Sequence, residues 1–94
     1  MGFEWDEDKR RINSRKHGLD FEDAHRVFTD DAFVIEDDRE EYGEDRYLLF
    51  GLLYERIVVI AFTVRDDVIR IISMRKASKR EQRSYVQKRF GANR

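Results

Sequence analysis

The longest hydrophobic segments of the chain lie in its second half, separated by short polar turns. Tyr47–Leu53 and Ile57–Val64 are rich in apolar residues, and the second, IVVIAFTV, is almost continuously hydrophobic. Such a run is typical of a central strand that is covered on both faces. Arg65-Asp66-Asp67 predicts a turn into a third strand, Val68–Lys76. The three segments predict an antiparallel meander, and Ala32–Glu36 predicts one further strand before it.

Helical signals precede these strands. Asp6 is the predicted N-cap of a helix over about Glu7–Lys16, and Gly18 can adopt the positive φ that ends it. This helix has few apolar residues, so we expect it to lie on the surface. Asp20 is the predicted N-cap of a second helix, and the apolar residues between Phe21 and Phe28 form one stripe along it.

The C-terminal segment also begins with a helix-start signal. Ser78 and Glu81 match the S-x-x-E capping box, which predicts a helix over about Lys79–Phe90. Near the N-terminus, Phe3-Glu4-Trp5 predicts only a short extended piece. We therefore predict an α+β fold in which two N-terminal helices and one C-terminal helix pack on a mainly antiparallel sheet of about four strands. No linker or repeat divides the chain, so we expect one domain over residues 1–94.

Composition narrows the class of protein. The chain of 94 residues is 40% hydrophobic and 41% charged, and it has no cysteine. The absence of cysteine removes disulfides, thiolate metal sites and cysteine nucleophiles, and fits a reducing compartment. No apolar run approaches the roughly 20 residues that span a bilayer, and the N-terminus does not resemble a signal peptide. We expect a cytoplasmic protein that does not associate with membranes.

The charges are distributed unequally along the chain. Residues 1–45 hold 7 basic and 16 acidic side chains, whereas residues 46–94 hold 12 basic and 4 acidic ones. The C-terminal half therefore suits a polyanion, which the N-terminal half would repel. Within the acidic half, seven of the ten residues of EDDREEYGED are carboxylates. We interpret this run as a solvated hairpin loop or an edge strand rather than an acidic binding surface.

The end of the predicted strand Val68–Lys76 is the first candidate for chemistry, because its polarity rises at Ser73, Arg75 and Lys76. Arginine can clamp a phosphate with two parallel hydrogen bonds and stays charged throughout. The alternative is that Arg75 pairs with one of the many acids of the first half. Strict alternation places Arg75 on one face with Ile69, Ile71 and Ser73, and leaves Arg70, Ile72, Met74 and Lys76 on the other.

Three further side chains are candidates for proton transfer. Tyr85 either anchors the C-terminal helix in the core or presents its hydroxyl beside Arg75. His17, next to Lys16, is suited to acid–base chemistry near neutral pH, or else only hydrogen-bonds the end of its own helix. The second histidine, His25, is eight residues away, which is not zinc-ligand spacing, so we expect no metal site and no cofactor.

The motifs together are similar to a known family. In the N-terminal half these are F-E-W-D at Phe3–Asp6, K-H-G at Lys16–Gly18 and F-E-D-A at Phe21–Ala24. Lys9 and Asn13 match in the same half. In the C-terminal half, the matches are Thr63-Val64-Arg65 and the block I-R-I-I-S-M-R-K-A-S at Ile69–Ser78, together with Arg46, Gly51, Glu81 and Tyr85. The chain resembles BrnT, the toxin component of a bacterial type II toxin–antitoxin system, over roughly Phe3 to Tyr85.

The resemblance implies a RelE-like fold and metal-independent RNA cleavage that arrests translation. It also implies a hetero-oligomer with a BrnA-type antitoxin, through which the toxin would contact operator DNA only indirectly. By this resemblance Arg75 becomes the first candidate for catalysis, with Arg65 or Arg46 as further cations and Lys16, His17 and Tyr85 for proton transfer. The candidate RNA-binding residues are Arg46, Arg70, Ser73, Lys76, Lys79 and Arg80.

Two other functions use the same charges. A non-catalytic basic module would hold nucleic acid or a partner protein through phosphate or carboxylate neutralisation, although no helix-turn-helix signature supports specific DNA recognition. Alternatively, the basic surface chiefly binds an acidic antitoxin segment, which would mask the nuclease. RNA cleavage in EDTA separates an enzyme from a binding module.

Overall fold

The computed structural model describes residues 2–91. In chain order the elements are β1 (Gly2–Glu4), α1 (Glu7–His17), a 3₁₀ helix (Phe21–Arg26), β2 (Phe33–Glu36), β3 (Tyr47–Leu53), β4 (Arg56–Arg65), β5 (Val68–Lys76), α2 (Lys79–Val86) and a π-helical turn (Gln87–Gly91). The mixed α+β class is confirmed. β3 and β5 have the predicted bounds, and α1 extends one residue beyond its predicted end.

The sheet has five strands in the order β1-β5-β4-β3-β2, rather than the four predicted. Strands β2 to β5 form the expected antiparallel set, whereas β1 pairs in parallel with the start of β5. This additional strand is the segment that we predicted only as a short extended piece. Its pairing with Val68 could not be predicted locally, because the two segments are more than sixty residues apart in sequence.

The second N-terminal helix is a 3₁₀ helix rather than an α-helix. Its apolar residues Phe21, Ala24 and Val27 recur at every third position, and all three are fully buried. A 3₁₀ helix has three residues per turn, so this spacing places them in one row. Asp20 caps the helix as predicted, since its side chain accepts a hydrogen bond from the Glu22 amide at 2.9 Å.

The sheet is buried on both faces. α1 and the 3₁₀ helix cover one face over a cluster that includes Phe21, Ile60 and Met74. α2 covers part of the other face, over a smaller cluster that consists of Leu48, Phe50, Val59, Ala77 and Tyr85. The expectation that IVVIAFTV is central is confirmed, because successive residues Val58, Val59 and Ile60 are all buried.

A β-bulge changes which side chains of β5 share a face. The register with β4 shifts between Ala61 and Phe62, so Ile72 is an extra residue. Met74 therefore lies in the same buried cluster as Ile69 and Ile71. Strict alternation predicted Met74 on the opposite face, which is wrong. Arg75 consequently lies on the face that α2 covers.

The C-terminal helix begins as predicted but ends earlier. The Ser78 hydroxyl accepts from the Glu81 amide, and the Glu81 carboxylate accepts from the Ser78 amide, so the capping box is confirmed. α2 ends at Val86, four residues before the predicted end, and the chain continues in a wider π-helical turn. Within residues 2–91, every helix is too short or too polar to cross a membrane.

Candidate functional site

Arg75 and Glu81 form a bidentate ion pair where β5 meets α2. The Arg75 Nη1 and Nη2 atoms donate to the two Glu81 carboxylate oxygens at 2.7 and 2.9 Å, and Nη1 also donates to the Lys76 carbonyl. The Arg75 guanidinium holds the pKa of Glu81 down at about 2, and Glu81 in turn raises the pKa of Arg75. Arg75 is thus paired with an acid of its own half, not of the first half as the alternative supposed.

This ion pair leaves part of the guanidinium available. Nη1 uses both of its protons on Glu81 and Lys76, and Nη2 uses one on Glu81. Among the residues described, nothing accepts from the Nε–H or the second Nη2–H of Arg75. These two donors lie side by side on one edge of the planar group, which is an arrangement that binds two phosphate oxygens. Glu81 therefore orients Arg75 without using all of its hydrogen-bonding capacity.

Asn13 connects α1 to the strand that carries Arg75. Its Nδ2 donates to the Met74 carbonyl at 2.9 Å and to the Leu19 carbonyl at 3.2 Å, and its Oδ1 accepts from the Met74 amide at 3.1 Å. β1 pairs only with residues 68–70, so Asn13 satisfies the backbone of β5 beyond the end of that strand. The sequence pattern predicted no role for Asn13. The sequence feature that could have indicated this role is the lack of an apolar stripe on α1, since such a helix docks on the sheet through polar side chains.

His17 lies one turn beyond Asn13, at the C-terminal end of α1. Partial burial lowers the pKa of His17 below its usual 6.5, and the positive charges of Lys16 and Arg75 lower it further. The lowered pKa favours the neutral imidazole, which is the form that can accept a proton. Because Asn13 bonds to Met74, the residue before Arg75, and lies one turn before His17, the structure brings Lys16 and His17 of α1 near Arg75.

Arg65 lies at the far end of the sheet. It pairs across the ladder with Val68, seven residues before Arg75, and at about 3.3 Å per residue this separation is roughly 20 Å. Its guanidinium donates to Glu44 at 2.9 Å. Arg46 also donates to Glu44, and Arg70 donates to Glu4 at 3.3 Å. The structure thus does not bring Arg65, Arg46 or Arg70 to the Arg75 site.

Tyr85 is an anchor of the core. Its side chain is 1% exposed, and its ring stacks on Phe33 with centroids 5.8 Å apart. The hydroxyl donates to the Asp31 carbonyl at 2.7 Å. A buried hydroxyl with this partner does not face a substrate at the surface, so the structure favours the core role over the catalytic one.

The remaining predicted RNA-binding residues lie near Arg75. Ser73 is half-buried and two residues before it on β5, whereas Lys76, Lys79 and Arg80 are exposed. Within residues 2–91, no carboxylate oxygen lies within 4.0 Å of these three cations or of Arg83. The predicted cations therefore divide into arginines that are paired with carboxylates and unpaired cations at the end of β5 and on α2.

The acidic run forms the loop between β2 and β3. Its Asp37 side chain is buried and accepts from Arg39 Nε at 2.7 Å, Arg39 Nη2 at 2.8 Å and the Tyr42 hydroxyl at 3.2 Å. These hydrogen bonds lower the pKa of Asp37 to about 2. In the described part of the chain, no three His, Asp or Glu side chains are grouped so that they could hold a metal ion. The loop is organised internally around Asp37.

Comparison with known proteins identifies the family. A family model described as the ribonuclease toxin BrnT of type II toxin–antitoxin systems matches residues 5–81. The chain belongs to the BrnT family. The BrnT match covers most of the chain and includes the Arg75–Glu81 pair, Asn13 and His17, but it ends before Tyr85. No curated protein matches the sequence.

Membership of the BrnT family makes this chain a ribonuclease toxin of a type II toxin–antitoxin system, so its partner is a protein antitoxin. The resemblance first noted in the motifs is confirmed. The family match does not assign roles to individual residues.

Proposed function

We propose that this BrnT-family toxin is a metal-independent endoribonuclease of the cytoplasm, which arrests translation by cutting RNA at the junction of β5 and α2. The observation that carries the proposal is the Arg75 guanidinium, which Glu81 orients while two of its donors remain available. The neutral His17 and the unpaired cations of α2 complete the site. The order of helices and antiparallel strands supports a RelE-like architecture for a single domain over residues 1–94.

The cleavage chemistry follows from these groups. His17 removes the proton of an RNA 2′-hydroxyl, and the resulting oxygen attacks the adjacent phosphorus. The bond from phosphorus to the 5′-oxygen breaks, which leaves a 2′,3′-cyclic phosphate and a 5′-hydroxyl. Arg75 stabilises the negative charge that builds on the phosphate oxygens. The 5′-oxygen takes its proton from Lys16 or from water, since Tyr85 is buried.

A labelled RNA incubated with the purified protein in EDTA tests the reaction. We expect fragments that end in 2′,3′-cyclic phosphate. RNA that is shifted in a gel but remains intact would favour a non-catalytic basic module, which the unpaired cations of α2 would equally serve. Cleavage that requires added Mg²⁺ would contradict metal independence.

The second part of the proposed function is the identity of the partner protein. We propose a BrnA-type antitoxin that forms a hetero-oligomer with this chain and supplies the contacts to operator DNA. Support comes from the family, whose toxins act in pairs with a protein antitoxin. Copurification of the two proteins tests the pairing, and failure to form any complex would count against it.

The rate of cleavage should fall at low pH. His17 has a pKa below 6.5, so it becomes protonated, and unable to act as a base, only when the pH falls below that value. We expect an acidic limb below pH 6.5 in the pH profile of kcat/KM. Lys16→Gln removes one positive charge that lowers the pKa of His17, so the limb should move upward. His17→Gln should abolish the limb, whereas the same change at the exposed His25 should leave it in place.

The unpaired cations should determine how strongly salt weakens RNA binding. The double variant Lys76→Gln/Arg80→Gln removes two exposed charges. For single-stranded RNA, each lost phosphate contact reduces the magnitude of the slope of log K against log salt by about 0.7. We expect a slope smaller by about 1.4, measured by fluorescence anisotropy with a 2′-O-methyl RNA that cannot be cleaved. The matched control is Lys9→Gln/Arg15→Gln on α1, which should change the slope little. Equal effects of the two double variants would contradict a binding surface at α2.

A further inference from the structure

An apolar groove runs beside α2 on the side that faces away from the core. Its volume is about 620 Å³, and the lining residues are Ile57, Lys79, Gln82, Arg83, Val86, Gln87, Phe90 and Gly91. Val86 is 47% exposed and Phe90 is 63% exposed, although both are large hydrophobic side chains. Lys79, Arg83 and Val86 are spaced so that they share one face of α2, and Phe90 lies in the π-helical turn that follows. The groove therefore combines the exposed apolar side chains Val86 and Phe90 with two cations, Lys79 and Arg83, in one surface.

The charges around the groove are all of one sign. Lys79 and Arg83 line it, and none of its lining residues is a carboxylate. Neither cation has a carboxylate oxygen within 4.0 Å in residues 2–91. The one acid of α2, Glu81, is already held by Arg75. A complementary ligand must therefore combine apolar side chains with negative charge.

A protein segment meets this requirement better than RNA does. Ile57 and Val86 provide an aliphatic surface, which offers no hydrogen bonds to base edges. The aromatic side chain that lines the groove, Phe90, already has the Arg89 guanidinium over its ring at 4.8 Å, so that face is not free to stack on a base. An amphipathic helix, in contrast, binds a hydrophobic groove through apolar residues spaced along one face, and its flanking carboxylates would pair with Lys79 and Arg83.

We infer that this groove binds an acidic amphipathic segment of the antitoxin. The inference rests on the proposed function, because it specifies how the partner inhibits that site. Lys79 belongs both to the groove and to the unpaired cations proposed to bind RNA. A segment that occupies the groove neutralises these cations and blocks the approach of RNA to Arg75. Inhibition then requires no conformational change at Arg75 or His17.

The test compares two double variants that remove equally exposed hydrophobic side chains. Val86→Ser/Phe90→Ser changes the groove, and Ile12→Ser/Val34→Ser changes side chains that are 58% and 49% exposed elsewhere. Binding of each to the purified antitoxin of the same toxin–antitoxin pair is measured by calorimetry, with RNA cleavage measured in parallel. We expect the groove variant to bind about 100-fold more weakly, since two buried anchors are lost, and the control to change by less than about threefold. Both should cleave RNA at the wild-type rate.

Each other outcome has a definite meaning. Unchanged antitoxin binding by the groove variant would overturn the inference, as would equal weakening in the control. Lost RNA cleavage with unchanged antitoxin binding would assign the groove to RNA, and a change only in self-association would assign it to a second copy of the chain. If the wild-type protein does not cleave RNA but the groove variant still loses the antitoxin, the proposed nuclease fails while the docking surface stands.

Discussion

Arg75→Ala is expected to lower kcat/KM for RNA cleavage by about 10²–10³-fold, the range found when one group that stabilises developing charge is removed. The reason is that the two available donors of Arg75 are lost at the phosphate, where negative charge accumulates. Growth arrest on expression should disappear as well. Arg75→Lys keeps the positive charge but not the planar fork, so it should recover only part of the rate. Single-turnover cleavage of a labelled RNA measures the effect.

Arg70→Ala is the matched control. Arg70 lies on the same strand, has a similar side-chain exposure (31% against 33%) and is also paired with a carboxylate, Glu4. It lies toward the other end of β5, so its removal should change the cleavage rate by less than about threefold. The loss of either half-exposed ion pair should change the free energy of unfolding by only about 1 kcal/mol or less. Equal loss of cleavage in both variants, or full cleavage by Arg75→Ala, would sink the assignment.

Asn13→Ala is expected to lower the free energy of unfolding by about 2–4 kcal/mol. The substitution leaves both the amide and the carbonyl of Met74 without their side-chain partner, and it also removes the hydrogen bond to the Leu19 carbonyl. Asn13 is buried, so water cannot readily replace these bonds. Urea unfolding followed by Trp5 fluorescence measures the change.

The neighbouring Ser14→Ala provides the comparison. The Ser14 hydroxyl donates to the same Leu19 carbonyl at 3.2 Å but makes no bond to Met74. Its loss should lower the free energy of unfolding by about 1 kcal/mol or less. If the two variants were equally stable, the connection between α1 and β5 would not depend on Asn13. Because Met74 precedes Arg75 and His17 follows Asn13 by one turn, Asn13→Ala should also slow RNA cleavage at temperatures where the protein stays folded.

Local signals in the sequence were sufficient for most of the secondary structure. The turn at Arg65-Asp66-Asp67 and the hydrophobic runs beside it predicted β5 to the residue, because strand length and turn chemistry are properties of neighbouring residues. The caps at Asp6 and Ser78 were predicted for the same reason. The bulge at Ile72 was not predicted, since it arises from the register between two strands.

In the candidate site, too, the sequence predicted some features and tertiary contacts decided the others. Sequence and family resemblance ranked Arg75 first and grouped it with Arg65 or Arg46, Lys16, His17 and Tyr85. Of these, the structure places the α1 residues Lys16 and His17 near Arg75, because Asn13 bonds α1 to Met74. Sequence and resemblance did not show that Arg65, Arg46 and Arg70 lie away from Arg75, because a charge pattern does not give the distance between two arginines in the folded chain. Tyr85 was likewise ambiguous, since the spacing along α2 does not show whether its hydroxyl meets solvent or the Asp31 carbonyl.

By itself, the sequence determined the fold class, the family, the bounds of β3 and β5 and the basic character of the C-terminal half, because these depend on composition, on short-range periodicity or on motifs. Only the tertiary structure decided which cations are neutralised, how Asn13 holds α1 against β5, and where the apolar groove lies. These features depend on contacts between residues that are distant in the chain. Glu81 illustrates both levels: its role in the capping box is local, whereas its bidentate contact with Arg75 exists only because β5 and α2 meet at the face of the sheet.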